Sequence, residues 1–183
     1  MATFIMLPDG VTGVNNWQNY GGGTADYTLV DDDTYLGNSY IYETRVNGVV
    51  TFTMTDPSVA EGDIDTINNI TIKLKAHYTE TGIVPPETRT LVVYMKSGFY
   101  TSNTDTHTVT EAIYPLYTGA SEQYHHHTVA WTYSAVENLL VNLKLTQGAS
   151  KNEYLRVSYI YAEVDYDPVA VAADNATFFG ANF

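Results

Sequence analysis

Three adjacent histidines are the side chains in this chain whose type and spacing best suit metal binding. They are His125, His126 and His127. Neutral imidazole is a ligand of transition metals, and residues two apart on a strand share a face. His125 and His127 could therefore bind one ion together. Two alternatives stay open: an ordinary polar strand, and a pH-sensitive histidine cluster where copies of the chain meet.

Carboxylates form two local groups. One is the run at residues 31–33, and the other includes Asp63 and Asp65. The D-x-D spacing of Asp63 and Asp65 is that of the start of a calcium-binding loop, although the other ligands of the twelve-residue loop are missing. Calcium binding through Asp63 and Asp65 is one interpretation, and solvated turns are the other.

Motifs of catalysis are missing from the sequence. There is no G-x-S-x-G elbow, H-E-x-x-H helix or phosphate-binding loop. The chain has no cysteine, which excludes disulfides, thiolate zinc sites and cysteine nucleophiles. Paired carboxylates for glycoside hydrolysis are brought together only by folding, so the sequence does not test them. We predict a protein that is not an enzyme and binds no cofactor.

Aromatic side chains offer a different chemistry, the binding of glycans. The chain has 16 tyrosines and 2 tryptophans, and rings with polar neighbours in loops could form a platform for sugars. The tyrosines in or near predicted turns are Tyr100, Tyr114, Tyr117, Tyr124 and Tyr133. The alternative is that tyrosines fill a sandwich core with their hydroxyls at its edge.

Charge limits the partners. The 183 residues include 8 Lys+Arg and 21 Asp+Glu, so the net charge is −13. This argues against nucleic acid and anionic membranes, which bind basic proteins. Hydrophobic residues make up 44%, enough for a globular core. No apolar run approaches the roughly 20 residues of a membrane span, and the apolar start at residues 1–7 has no basic segment of a signal peptide. We expect a soluble protein made in a cytoplasm.

Hydrophobic alternation predicts the elements that position these side chains. Apolar and polar residues alternate over residues 67–79 and 50–55, as in half-buried strands. Further predicted strands cover residues 88–96, 108–117, 125–132, 139–146 and 154–166. The capping-box spacing of Ser134 and Glu137 predicts one short helix near 134–139. The predicted fold class is all-β: an antiparallel β-sandwich of jelly-roll type.

Three regions follow from this pattern. Residues 1–26 are predicted to be an N-terminal arm, residues 27–166 the jelly-roll domain, and residues 167–183 a C-terminal tail. Residues 1–44 contain no basic residue, whereas Lys73, Lys75 and Arg89 are expected on or near one polar sheet face.

Four segments carry a resemblance to a known family. They are residues 29–36 (LVDDDTYL), 70–78, 131–139 (WTYSAVENL) and 157–166 (VSYIYAEVDY). In this order they resemble a pattern of fold positions in jelly-roll structural proteins of tailed-bacteriophage virions. The resemblance covers residues 27–166; the tail after residue 166 departs from it.

The resemblance implies a virion protein on the capsid exterior, made in the host cytoplasm. It implies a capsid decoration, or cement, protein that binds and stabilises the shell of the major capsid protein, as a homo-oligomer (dimer or trimer). The alternative is a receptor- or glycan-binding module of a head fibre or tail adhesion device. Apolar residues near both ends are the predicted contacts with the shell, unless they pack on their own sandwich: Phe4, Ile5, Met6, Leu7, Phe178, Phe179 and Phe183.

Overall fold

A computed structural model describes residues 1–19, 23, 26–30, 40–43, 47–80, 89–98, 100–101, 105–109, 122–123, 131–146 and 153–170. Its strands are β1 Ala2–Met6, β2 Pro8–Val11, β3 Gln18–Asn19, β4 Ile41–Glu43, β5 Val49–Met54, β6 Ile64–Glu80, β7 Arg89–Ser97, β8 Tyr100–Thr101, β9 Asp105–Val109, β10 Glu122–Gln123, β11 Leu140–Leu145 and β12 Glu153–Pro168. One α-helix, α1, covers Tyr133–Glu137, and short 3-10 turns cover Tyr27–Leu29 and Glu61–Asp63.

Within the described residues the strands form two antiparallel sheets. Sheet A has the order β10-β6-β12-β4-β3, with β1 also paired to β12. Sheet B has the order β2-β5-β11-β7-β8, with β9 also paired to β7. One cluster of buried side chains from both sheets forms the core. The predicted all-β sandwich is therefore confirmed.

The strand pairs from β4 to β12 are nested. Strand β7 pairs with β9, β6 with β10, β5 with β11, and β4 with β12. Along the chain, the two strands of each pair lie on either side of the pair named before it. Successive pairs lie in alternate sheets. The chain from β4 to β12 is consequently arranged as one long hairpin wrapped across both sheets.

The core side of sheet B follows the predicted alternation. In β5, Val50, Phe52 and Met54 are buried, while the residues between them are half-buried. Since side chains of a strand alternate between its faces, the threonines between them lie on the outer face. Strand β7 alternates in the same way over residues 91–97, and β11 does so except at Asn142, which is buried on the outer face.

A β-bulge at Ser158 keeps the apolar residues of β12 on the core side. Val157 pairs with Ala76 and Tyr159 with the next residue of β6, which leaves Ser158 as the extra residue. Before the bulge the buried residues have odd numbers, ending with Val157, and after it they have even numbers, starting with Ile160. The extra residue shifts the two-residue period by one, so both halves of β12 face the core.

The N-terminal segment corrects the prediction of a separate arm at residues 1–26. Strand β1 pairs with β12 in sheet A, β2 pairs with β5 in sheet B, and β3 returns to sheet A beside β4. Trp17, 1% exposed, is buried between these crossings and donates from Nε1 to the Gly48 carbonyl at 3.2 Å. Residues 2–19 therefore close one edge of the sandwich, because each crossing buries side chains that a free arm would leave in water.

The gap between β4 and β1 along the edge of β12 is filled by Val30. This residue is fully buried, and its carbonyl accepts a hydrogen bond from Ile160 N at 3.0 Å. The bond satisfies a backbone N–H of β12 just after the bulge. The end of the predicted arm and the start of the predicted domain are thus one packed unit.

The predicted helix exists but begins earlier than its capping-box pattern indicated. Thr132, in extended backbone, is the N-cap, and its Oγ1 accepts a hydrogen bond from Ala135 N at 3.1 Å. Helix α1 therefore starts at Tyr133, and Ser134 lies inside its first turn. Threonine is among the residues favoured at the N-cap, so the Thr132 hydroxyl starts the helix two residues before Ser134.

Candidate functional site

The three central strands of sheet B, β5, β11 and β7, present an outer face without a carboxylate. We call it the sheet B face. Its residues are Val49, Thr51, Thr53, Val92, Tyr94, Lys96, Leu140, Asn142 and Lys144. Antiparallel register places Asn142 in the middle row, between Thr51 of β5 and Tyr94 of β7. Except for Asn142, these residues are half-buried.

Lysines give the sheet B face a positive charge in a strongly negative chain. Lys96 and Lys144 lie at diagonal positions around Asn142, each in a row next to it. The Lys96 ammonium lies 5.4 Å from the centre of the Tyr94 ring, within the range of a cation–π contact. Among the described residues neither lysine forms an ion pair. At the edge of the face, Asp9 accepts a hydrogen bond from Thr53 Oγ1 at 2.6 Å.

Asn142 has an unsatisfied hydrogen-bond donor. Its side-chain oxygen accepts from Thr51 Oγ1 at 2.7 Å, but its side-chain nitrogen has no partner, and the residue is only 2% exposed. A buried amide donor left without a partner costs about 1–3 kcal/mol. Leucine or valine at this position would avoid that cost, so stability alone does not account for the asparagine.

A cleft of about 550 Å3 adjoins the sheet B face at the end that carries α1. Thr53 and Leu140 line it and also belong to the face, and Glu137 of α1 contributes its one carboxylate. The other lining residues are small, polar or apolar: Met54, Ser97, Gly98, Thr132, Ser134, Ala135, Asn138 and Leu139. The cleft extends the face toward the helix.

The outer face of sheet A carries an ion pair formed within the chain. Lys73 Nζ lies 2.7 Å from Glu163 Oε1, and 5.9 Å from the centre of the Tyr161 ring. The hydrogen bond with Glu163 raises the pKa of Lys73, against the opposing effect of burial. Both side chains of the pair are more than a quarter exposed, so water screens the pair and it stabilises the fold only weakly.

Tyrosines surround this pair on sheet A. The Tyr159 and Tyr161 rings lie 5.9 Å apart and nearly parallel, at 21°. Burial, followed by the nearby Tyr161, raises the pKa of Tyr159. Farther along the sheet, the Arg156 guanidinium lies 4.4 Å from the centre of the Tyr40 ring, and Tyr42 donates to Gln18 Oε1 at 2.8 Å. Sequence reasoning missed this cluster, because it placed the candidate tyrosines in loops.

One candidate loop tyrosine is in the described structure with its side chain. Tyr133, in α1, donates from its hydroxyl to the Val59 carbonyl at 3.0 Å, and desolvation raises its pKa. Tyr100 lies in β8, while Tyr114, Tyr117 and Tyr124 lie outside the described residues. A common platform of these five tyrosines stays a prediction.

Of the four predicted metal ligands, two lie within the described residues and two lie outside them. Asp63 ends a 3-10 turn and Asp65 lies in β6, and both are exposed. Within the described part of the chain, no three His, Asp or Glu side chains gather in a group that could hold a metal. Asp63 is thus an exposed turn residue and Asp65 an exposed strand residue, and calcium binding by this pair stays a prediction. His125 and His127 lie outside the described residues.

The predicted shell contacts near the N-terminus lie on opposite faces of one strand. Phe4 and Met6 point into the core, at 5% and 0% exposure, so they pack on their own sandwich, the alternative named above. Ile5 and Leu7 are exposed, at 52% and 36%. The predicted contacts Phe178, Phe179 and Phe183 lie outside the described residues.

The three basic residues expected on one polar face are on two sheets. Lys73 and Lys75 belong to β6 in sheet A, whereas Arg89 begins β7 in sheet B. That expectation was wrong for Arg89, because alternation assigns a residue to a face of its strand but does not say which sheet the strand joins. The sheet B face instead takes its charge from Lys96 and Lys144.

Comparison with models of protein families, with curated proteins and with solved structures found no match. None of the helices in the described part of the chain is long and apolar enough to cross a membrane.

Proposed function

We propose that this chain is a non-enzymatic structural protein of a tailed-bacteriophage virion, a decoration protein that binds the shell of the major capsid protein from outside. The observation that carries the proposal is the nested strand pairing of β4 to β12, together with the sequence resemblance over the same region. Two interlocked four-stranded halves, β4-β12-β6-β10 and β5-β11-β7-β9, have the strand order expected of a jelly roll, which consists of two Greek keys. We infer that the sandwich is a jelly roll.

The sheet B face supports docking on a large partner. Its three central strands contribute threonine, valine, leucine, tyrosine, asparagine and lysine but no carboxylate, and the cores of protein interfaces are poor in charged residues. A chain with a net charge of −13 repels its own copies. A face whose central strands carry no carboxylate, with Asp9 only at its edge, is where such a molecule can approach another surface closely, with its acidic turns directed outward.

Electron cryomicroscopy of native particles tests the proposal. The expected map shows this sandwich at repeated symmetry positions on the capsid, in hundreds of copies, with sheet B toward the shell. Quantitative mass spectrometry of purified particles gives the copy number independently. Absence of the protein from purified virions would contradict the proposal.

Glycan binding by a fibre or adhesion module is the second candidate. The favouring observation is the outer face of sheet A, where Tyr159, Tyr161, Lys73 and Glu163 combine aromatic rings with hydrogen-bonding groups. A glycan array with the intact protein tests it, with Tyr161→Ala as the site variant and Tyr94→Ala on sheet B as its control. Binding that is lost in Tyr161→Ala alone, with few copies per particle, would favour this candidate over decoration.

A further inference from the structure

The sheet B face presents one buried donor between two cations. The Asn142 side-chain oxygen is turned to Thr51 on one side, so the unpartnered nitrogen is directed to the other side, where Tyr94 is the register neighbour. Lys96 lies two residues along the strand from Tyr94, and Lys144 two residues along from Asn142. The Asn142 nitrogen has no exposed surface in this structure, so a ligand atom can meet it only when the side chains that cover it move aside. Two residues of strand span about 7 Å, so both ammonium groups can reach a ligand atom at that place.

We infer that the centre of the sheet B face binds a side-chain carboxylate presented by an acidic segment of a partner protein. This inference rests on the docking function proposed for the face. A carboxylate supplies the acceptor that the Asn142 amide lacks, and hydrogen bonds to a charged acceptor are the stronger ones. The flanking lysines favour an anion over a neutral carbonyl. The uncharged threonine, valine and leucine side chains around them suit the dry surroundings of such a contact.

The occupant is a protein segment of opposite charge rather than a second copy of this chain. Two copies that met through their sheet B faces would bring Lys96 and Lys144 of each into one interface with no carboxylate from the central strands. Like charges at an interface disfavour association. A partner with exposed Asp or Glu complements the face directly.

The test titrates the full chain with a hexaglutamate peptide and, as the matched control, a hexaglutamine peptide. Nuclear magnetic resonance follows the Asn142 side-chain amide signals at low salt and again at high salt, where charges more than a few ångströms apart are screened. We expect hexaglutamate alone to shift these signals, and the shift to weaken at high salt. Equal shifts with hexaglutamine, or hexaglutamate shifts confined to other surfaces, would overturn the inference.

Variants locate the contact. Lys96→Gln with Lys144→Gln, and separately Asn142→Val, should each weaken hexaglutamate binding about tenfold, which corresponds to roughly 1.4 kcal/mol. Lys73→Gln on sheet A is the matched control and should bind within about twofold of the parent. Thermal melting confirms that each variant is folded. An equal loss in Lys73→Gln would show nonspecific attraction and refute the assignment. Absence from virions would refute the proposed function but would leave this titration intact.

Discussion

Because Ser158 is the extra residue of a bulge, we predict that deleting it destabilises the protein much less than deleting a paired residue of the same strand. Removing Ser158 removes the extra residue, so Val157 and Tyr159 become consecutive and pair with residues of β6 that are already consecutive. Leu155 and Val157 then stay in phase with Ile160, and every apolar residue of β12 still faces the core. Removing Glu163, five positions later, removes a residue that is paired with Thr71 rather than an extra one, so it must turn Val164 and Tyr166 outward, or shift the remainder.

The magnitudes follow from burial. Val164 and Tyr166 are 0% and 9% exposed, and each large apolar side chain moved from the core into water costs about 1.5–3 kcal/mol. Deletion of Glu163 should therefore cost about 3–6 kcal/mol, a large part of a typical stability of 5–15 kcal/mol. Deletion of Ser158 should change stability by less than about 1 kcal/mol, because it also removes a buried hydroxyl that has no hydrogen-bond partner.

Urea unfolding followed by tryptophan fluorescence measures both deletions. In a domain of this size, 1 kcal/mol corresponds to about 2–4 °C in Tm, so a thermal melt separates them as well. Ser158→Ala is the matched control, since it removes the hydroxyl but keeps the extra residue, and it should be neutral or slightly stabilising. If deletion of Ser158 proved as costly as deletion of Glu163, the bulge would be needed for strand curvature, and the phase argument would be refuted.

Three further predictions concern the sandwich edge and the sheet A ion pair. Trp17→Ala should cost about 3–5 kcal/mol, against about 1–2 kcal/mol for Trp17→Phe, which loses mainly one hydrogen bond; equal losses in urea unfolding would place the tryptophan outside the core. Deleting residues 1–9 should unfold the chain in circular dichroism, whereas Ile5→Ser should leave its Tm within about 2 °C; a folded deletion variant would restore the arm interpretation. Because Glu163 raises the pKa of Lys73 above 10.5, their bond contributes fully below that pH and is lost as pH rises through the higher folded pKa. Glu163→Gln should thus cost less than about 1 kcal/mol at about pH 8 and nothing at about pH 12; a pH-independent difference in urea unfolding would contradict this.

The fold class was predictable because long strands leave a clear period. Strand β6 alternates over Ile70, Ile72, Leu74 and Ala76, and all four are buried. Strand β1 has only Phe4 and Met6 to bury, and two positions do not make a detectable period. A strand that joins the edge of an existing sheet needs no more than that, which is why the sequence pattern predicts an arm over residues 1–26.

The candidate face was not predictable from the sequence, for a different reason. Alternation identifies Lys96 and Lys144 as outward residues of their own strands, but their shared face exists only because β7 and β11 are neighbours. Those strands are far apart in the chain. The hydrophobic period also does not show that neighbouring strands bury Asn142, because an asparagine at an outward position is normally expected to be exposed to solvent.

The crossing of residues 2–19 between the sheets has a consequence for the order of folding. Strand β1 pairs with β12, so β1 is synthesised long before the strand with which it pairs. The nested pairs add further contacts between distant parts of the chain, and such topologies fold in milliseconds to seconds rather than microseconds. Until β12 is synthesised, Phe4, Met6 and Trp17 have no completed core to enter. The nascent chain therefore carries these apolar residues exposed from the synthesis of β1 until that of β12, a period in which chaperones can bind it.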